Sequence, residues 1–169
     1  MPIVLIRIDD RLVHGQIVQG WLKSLDVDTV LVVSDSAASD KTQQIFMRMA
    51  LPSFIKLNVK TLKDATASLL NGDYDKEKIM VLVTQPSDVV YMLERGLKIK
   101  SLNIGGMHFI SGKKQLMENI CVNSEEIESL KQIYSSGIEI EGRVLPDDEK
   151  KDIMHILKKE HQTVCEADK

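Results

Sequence analysis

Short apolar runs alternate with amphipathic stretches along the whole chain. Runs at 3–8, 29–33, 54–59, 79–84, 101–104, 115–122 and 138–145 have the length and β-branched content of strands, which predicts about seven of them. Between them, at 16–25, 41–51, 62–70, 87–95, 124–134 and 147–159, apolar residues recur at helical spacing. The punctuation agrees with this reading. Thr61 and Asn123 stand where N-caps belong, Pro86 stands at a first-turn position, and Gly96 and Gly137 fall just past helix ends. Acids at 147–149 and lysines at 158–159 suit the dipole of a last helix over 147–159, and residues 160–169 are expected to fray.

Runs such as MVLV and TVLVV have no polar face, so they are expected to be covered on both sides. Strand and helix in alternation imply right-handed crossovers onto parallel strands. The expected fold is α/β, an open doubly wound, mainly parallel sheet of about seven strands with helices on both faces, built as one domain over 1–169. In such sheets ligands bind beyond the carboxyl ends of the strands, which directs attention to the loops after each strand.

Composition narrows the function classes. A charged share of 28% beside an apolar share of 43% is that of a globular protein, and a formal charge of -3 with scattered lysines lacks the basic footprint of a nucleic-acid binder. No apolar run approaches the ~20 residues that span a bilayer, so a cytoplasmic protein is expected. Cys121 and Cys165 lie far apart without a C-x-x-C pair, which argues against a zinc site or a disulfide framework.

The loop after the first strand carries the chemistry: Asp9-Asp10-Arg11-Leu12-Val13-His14-Gly15-Gln16, leading directly into a helix. A helix N-terminus presents unpaired N–H groups and a positive dipole end, which suits an anion. His14 offers a nucleophilic nitrogen, since imidazoles titrate at about 6.5 and are often neutral near pH 7. Arg11 brings a permanent planar cation matched to phosphate oxygens, and Gly15 removes a side chain that would crowd a phosphoryl group. A carboxylate beside phosphate is repulsive unless turned toward another group, and an orienting role is assigned to Asp10. A lone loop histidine is often merely satisfied by backbone; its neighbours make this one a phosphate-handling candidate.

The stretch RIDDRLVHGQIVQGW resembles the N-terminal signature of IIB subunits of the mannose/fructose/sorbose family of the phosphoenolpyruvate-dependent sugar phosphotransferase system. The resemblance continues through VVSDSAASD, RMALPSFIKL, TQPSDVVYMLERG and SLNIGGMHFISGKKQL, in family order and over essentially the whole chain. It implies a phosphotransferase in which His14 takes a phosphoryl group from a IIA domain or subunit and passes it to sugar entering through membrane subunits IIC and IID. Such a chain is a protein-N(pi)-phosphohistidine–sugar phosphotransferase component, cytoplasmic and peripherally associated with the transporter. Arg11 and Asp10 match the residues flanking that histidine, and no metal or organic cofactor is implied. The sugar and any homo-oligomer stay open.

Three further loops are candidates for phosphate binding or loop support. Ser34 and Asp35 follow the second strand and serve either the active loop or an ordinary cap. Thr84 and Gln85 follow the fourth and either face phosphate or cap the helix at Pro86. Asn103, Gly105 and Gly106 end the fifth as an anion nest or a plain tight turn, and the resemblance favours the site. His108 reads as a surface-loop residue, and His155 and His161 lack convergent partners. Trp21 and Met47, Met49, Met80, Met92 and Met107 read as core, while Leu12, Val13, Met107 and Phe109 serve either the core or docking of IIA and the membrane subunits. A histidine phosphatase would place arginine directly before the histidine, whereas Arg11 is three residues upstream. A nucleotide-binding module would show G-x-G-x-x-G or a P-loop, and neither occurs.

Overall fold

The computed structural model describes residues 3–159. Nine strands form in chain order: β1 (Ile3–Asp9), β2 (Thr29–Val33), β3 (Lys56–Lys60), β4 (Ile79–Val83), β5 (Ser101–Gly106), β6 (Lys114–Met117), β7 (Ile120–Val122), β8 (Glu139–Gly142) and β9 (Lys151–Asp152). Seven of them make one sheet in the order β3-β2-β4-β1-β5-β8-β9, parallel except for β9 at one edge. The helices are α1 (Leu22–Ser24, reached through a π-helical turn, Ile17–Trp21), α2 (Asp35–Ser39), α3 (Lys41–Ala50), α4 (Leu62–Leu70), α5 (Pro86–Glu94), α6 (Ser124–Ser135) and α7 over 153–159.

The doubly wound α/β architecture is the expected one, and its cause is visible in β2 and β4, where every residue is buried. Alternate residues feed two separate cores. Val30, Val32, Met80 and Leu82 pack with Ile17, Trp21, Ala37 and Met47 on one face. Leu31, Val33, Ile79, Val81 and Val83 pack with Ala65, Leu69, Val89, Met92, Leu130 and Ile133 on the other.

Several details depart from the sequence reading. The run at 115–122 is a hairpin: Met117 faces Ile120, leaving Glu118 and Asn119 as the turn, and β6 and β7 form their own two-stranded sheet. The seventh strand of the main sheet is β9, two residues pairing antiparallel with β8. The last helix accordingly starts at 153 rather than 147. Asp152 caps it by accepting the N–H of His155 at 3.0 Å, and Asp148 closes the preceding turn by accepting the N–H of Leu145 at 2.7 Å. Helix α2 was not expected; it is short, lacks an apolar stripe, and is capped by Ser34 at one end and separated from α3 by the cap Asp40. Met49, expected as core, is exposed. Residues 160–169, with His161, Cys165 and the expected fraying, lie outside the described residues.

Candidate functional site

β1 leads to β2 on one side in the strand order, whereas β5, its other neighbour, leads on to β8. The chain therefore leaves β1 and β5 in opposite directions, and the loops after them meet at the carboxyl edge, the switch point where such sheets bind ligands. The loop after β1 turns tightly to enter it: the N–H of Leu12 returns to the carbonyl of Asp9 at 3.0 Å, and Leu12 takes φ 59. A left-handed leucine costs about 1–2 kcal/mol, and the fully packed side chain of Leu12 offsets it. His14 stands directly before the first helical residues, Gly15 and Gln16, and its carbonyl accepts the N–H of Val18 at 3.1 Å.

Asp9, the last residue of β1, is the hub. Its side chain is fully buried, and its Oδ2 lies 2.9 Å from Nη2 of Arg7 and 2.9 Å from Nε2 of His14. Arg11 completes the cage, with Nε 3.1 Å from Oδ1 and Nη2 3.2 Å from Oδ2. Burial alone would push the Asp9 carboxyl up. The hydrogen bonds from His14 and Arg11 and the charge of Arg7 outweigh it and hold the group well below the usual carboxylate range. An ionised carboxylate only accepts, so Nε2 of His14 carries a proton and donates it to Asp9. The opposite nitrogen, Nδ1, is turned toward the start of the helix, where the N–H of Gln16 approaches it at 3.4 Å. Gly15, between His14 and Gln16, borders open space: apart from its chain neighbours, an added Cβ there would meet nothing within 4 Å.

The orienting carboxylate thus differs from the expected one. Asp10 accepts the backbone N–H of His108 at 2.7 Å and lies 2.5 Å from its ring Nδ1, tying the loop after β5 to the loop after β1. The reason is strand parity. Asp9 shares a sheet face with Arg7 and Trp21, and its successor turns toward the neighbouring loop.

Arg7 was not singled out from sequence, yet it supports the whole site. Its guanidinium is buried within β1 and donates to Asp9, to Oδ1 of Asn103 at 2.5 Å, and to the carbonyls of Arg143 at 3.0 Å and Val144 at 3.3 Å. Trp21 packs against it, 5.3 Å from the ring centre, with Arg143 at 5.0 Å and the indole N–H donated to Val144 at 2.8 Å. Burial pulls the guanidinium's pKa down, and Asp9 opposes that. The available signal was a lone charge inside an apolar strand run.

Asn103, Gly105 and Gly106 belong here, as support. Asn103 bridges Arg7 to Oε1 of Glu141, its Nδ2 donating at 2.9 Å. Gly105 leaves room for Arg7, whose Nη2 would be 1.6 Å from an added Cβ. The carbonyl of Gly106 accepts the N–H of Asp10 at 3.1 Å. The other two loops make local bonds. Ser34 caps α2, Asp35 accepts the N–H of Leu62 at 2.8 Å, and Thr84 and Gln85 donate to Asp88 at 3.1 and 3.2 Å at the start of α5. Burial raises the pKa of Asp88 against those bonds. Of the apolar docking candidates, Leu12, Val13 and Met107 are core, and Phe109 is 66% exposed.

Chemically, the loop presents a nucleophilic nitrogen at a helix N-terminus, with a cation beside it and its far side locked by a carboxylate. The lone pairs of Asp9 are taken by Arg7, Arg11 and His14, which leaves it unsuited to hold a metal. Among the described residues no group of three or more His, Cys, Asp or Glu converges on a metal-sized site.

Comparison with known proteins agrees with this chemistry. The family described as PTS system sorbose subfamily IIB component matches residues 3–168. The chain is 35% identical to the sorbose-specific EIIB component of Klebsiella pneumoniae, over 98% of this chain and 100% of that protein. It is 34% identical to the fructose-specific EIIB component of Bacillus subtilis (strain 168), over 94% and 97%. With the mannose-specific EIIAB component of Escherichia coli (strain K12) it shares 36% identity over 94% of this chain and 49% of that longer protein. The crystal structure of the IIBSor domain of the sorbose permease from Klebsiella pneumoniae superposes with a TM-score of 0.89 at 33% identity, covering 94% of this chain and 98% of that one.

Proposed function

The chain belongs to the sorbose subfamily of IIB components of the sugar phosphotransferase system, phosphotransferases that carry phosphoryl groups in sugar uptake, and we propose that His14 is its carrier and Nδ1 the atom phosphorylated. The observation that carries this is the 2.9 Å contact between Nε2 and the buried, ionised Asp9. It fixes the proton on Nε2 and leaves the lone pair on Nδ1, at the start of the helix where the N–H of Gln16 lies 3.4 Å away.

In the accepting step, Nδ1 attacks phosphorus on a phosphorylated IIA domain. The new P–N bond forms as the bond to the donor atom breaks, and that electron pair returns to IIA. Asp9 stabilises the positive charge the ring gains, while Arg11, held beside it on Asp9 at 3.1 Å, and the positive end of the helix offset the charge of the phosphoryl oxygens. In the donating step a sugar hydroxyl attacks and its proton is released to solvent, the O–P bond forms as the P–Nδ1 bond breaks, and that electron pair returns to Nδ1 to restore the imidazole. Positioning and charge neutralisation supply the catalysis.

The partners under this reading are IIA, the membrane subunits IIC and IID, and sugar as final acceptor. The name EIIAB of the Escherichia coli relative supports the pairing with a IIA domain. Among the described residues no helix is long and apolar enough to cross a membrane, which supports a cytoplasmic chain that docks on the transporter peripherally. Phe109 and the adjacent exposed Ile110 form the apolar rim for those contacts. Two cores sharing one sheet support a single IIB domain over 1–169.

Intact-mass spectrometry after incubation with phosphoenolpyruvate, the general phosphotransferase proteins and a mannose-type IIA domain tests the assignment. Wild type gains one acid-labile phosphoryl group and His14→Ala gains none; a phosphorylated His14→Ala would overturn it. Nitrogen-15 NMR of the phosphorylated ring separates Nδ1 from Nε2.

A further inference from the structure

Far along the sheet from the loop after β5, at the β3 edge, lies an apolar surface that phosphoryl transfer does not use. A helix on a sheet ordinarily turns its apolar stripe inward. In α3 only Met47 is buried, while Ile45, Phe46 and Met49 are 59, 65 and 76% exposed on one outward stripe, and Phe54, in the turn after the helix, is 79% exposed. A groove whose apolar lining is Ile45, Met49, Leu57 and Val59, beside the polar Lys41, Gln44 and Arg48, joins this stripe to β3. Contiguous apolar surface of this kind marks an interaction site.

β3 ends the sheet, so one of its edges is unpaired. Its N–H at Lys56 goes to Asp28 at 2.9 Å and its carbonyl at Lys60 accepts Ser34 at 3.1 Å, both on the inner side. By alternation, the N–H and C=O of Leu57 and Val59 point outward. The strand reads Lys-Leu-Asn-Val-Lys, the same pattern in both directions. An antiparallel strand meets its neighbour in reverse order, so this edge is complementary to itself, which is the requirement for a two-fold interface.

We propose that the chain forms a two-fold dimer by antiparallel pairing of β3 with β3 of a second copy, with Asn58 at the axis. Leu57 and the partner's Val59 then exchange both main-chain hydrogen bonds, and the axis repeats the exchange. Their side chains lie on the α3 face, where they fill the groove, and Ile45 and Met49 of both copies close over the seam. On the opposite face Lys56 meets the partner's Lys60, a pairing that bare charges would oppose. Here Lys56 already holds Glu77 at 2.6 Å, and Lys60 is bonded to Ser68 at 2.6 Å and stacked over Tyr74 at 5.4 Å. Antiparallel joining points the carboxyl edges of the two sheets in opposite directions, so each His14 stays open to its own partners. The dimer does not depend on the phosphoryl-carrier reading.

Sedimentation velocity of the full chain over rising concentration tests it, with phosphoryl acceptance measured in parallel. Wild type reaches twice the chain mass of 19.0 kDa. Val59→Pro removes an outward N–H without touching the ladder to β2, and Met49→Lys places a charge on the exposed stripe. Both variants sediment as monomers and accept phosphate as wild type does. A wild type that stays monomeric at every concentration, or a dimer that survives both substitutions, would overturn the proposal. A monomer that instead sediments with anionic phospholipid vesicles would assign the face to a membrane and overturn it equally.

Discussion

Asp9 decides what His14 can do. In Asp9→Asn the new amide can donate to Nε2, which drives the ring proton to Nδ1 and blocks the lone pair that attacks phosphorus under the proposed mechanism. The rate of phosphoryl acceptance from IIA is expected to fall by about 10²–10⁴-fold, with the ring's nitrogen-15 shifts exchanging tautomer. A folded variant that transfers at the wild-type rate would remove Asp9 from the mechanism. At this scale His14 and Arg11 were legible because an exposed loop carries its chemistry in consecutive residues. Asp9 and Asp10 were not separable, since only the face that each takes after the strand end tells them apart. Arg7, Asn103 and Glu141 meet through strand register across β1, β5 and β8, a relation that no local pattern encodes.

Elements were legible wherever caps and periodicity agreed. Asn123 and Glu126 form a full capping box on α6, each side chain bonded to the other's backbone N–H at 2.8 and 2.9 Å. Asn123→Ala is expected to lower stability by about 1 kcal/mol while leaving phosphoryl acceptance unchanged, as denaturant titration and the mass assay will show. Thr61, Pro86, Gly96 and Gly137 fulfil their expected roles for the same reason. Illegible elements were those too short to carry a period: α2, β9 and the hairpin turn at Glu118–Asn119. Their formation rests on pairing partners and caps, as when β8 recruits Lys151 and Asp152.

For the whole molecule, the hub couples stability to pH. The Asp9 carboxyl has a lower pKa folded than unfolded, so its stabilisation is complete above the ordinary carboxylate value of about 3.9 and is lost as pH falls through the folded value. At neutral pH Asp9→Asn is expected to cost on the order of 3–5 kcal/mol, because Arg7 is left as a buried unpaired cation. Denaturation curves should show that difference shrinking as the pH is lowered below about 4; a gap constant with pH would disprove the coupling. The mainly parallel sheet and its cover on both faces followed from strand and helix alternation, whereas the strand order, and with it the self-complementary edge at β3, had to be seen. The placement of Arg7 also sets a timetable. Two of the acceptors of its guanidinium, the carbonyls of Arg143 and Val144, leave the ribosome more than a hundred residues after Arg7 itself. The reactive loop is short and local, yet it gains its finished geometry only after residues 143 and 144 have been made and folded back against Arg7.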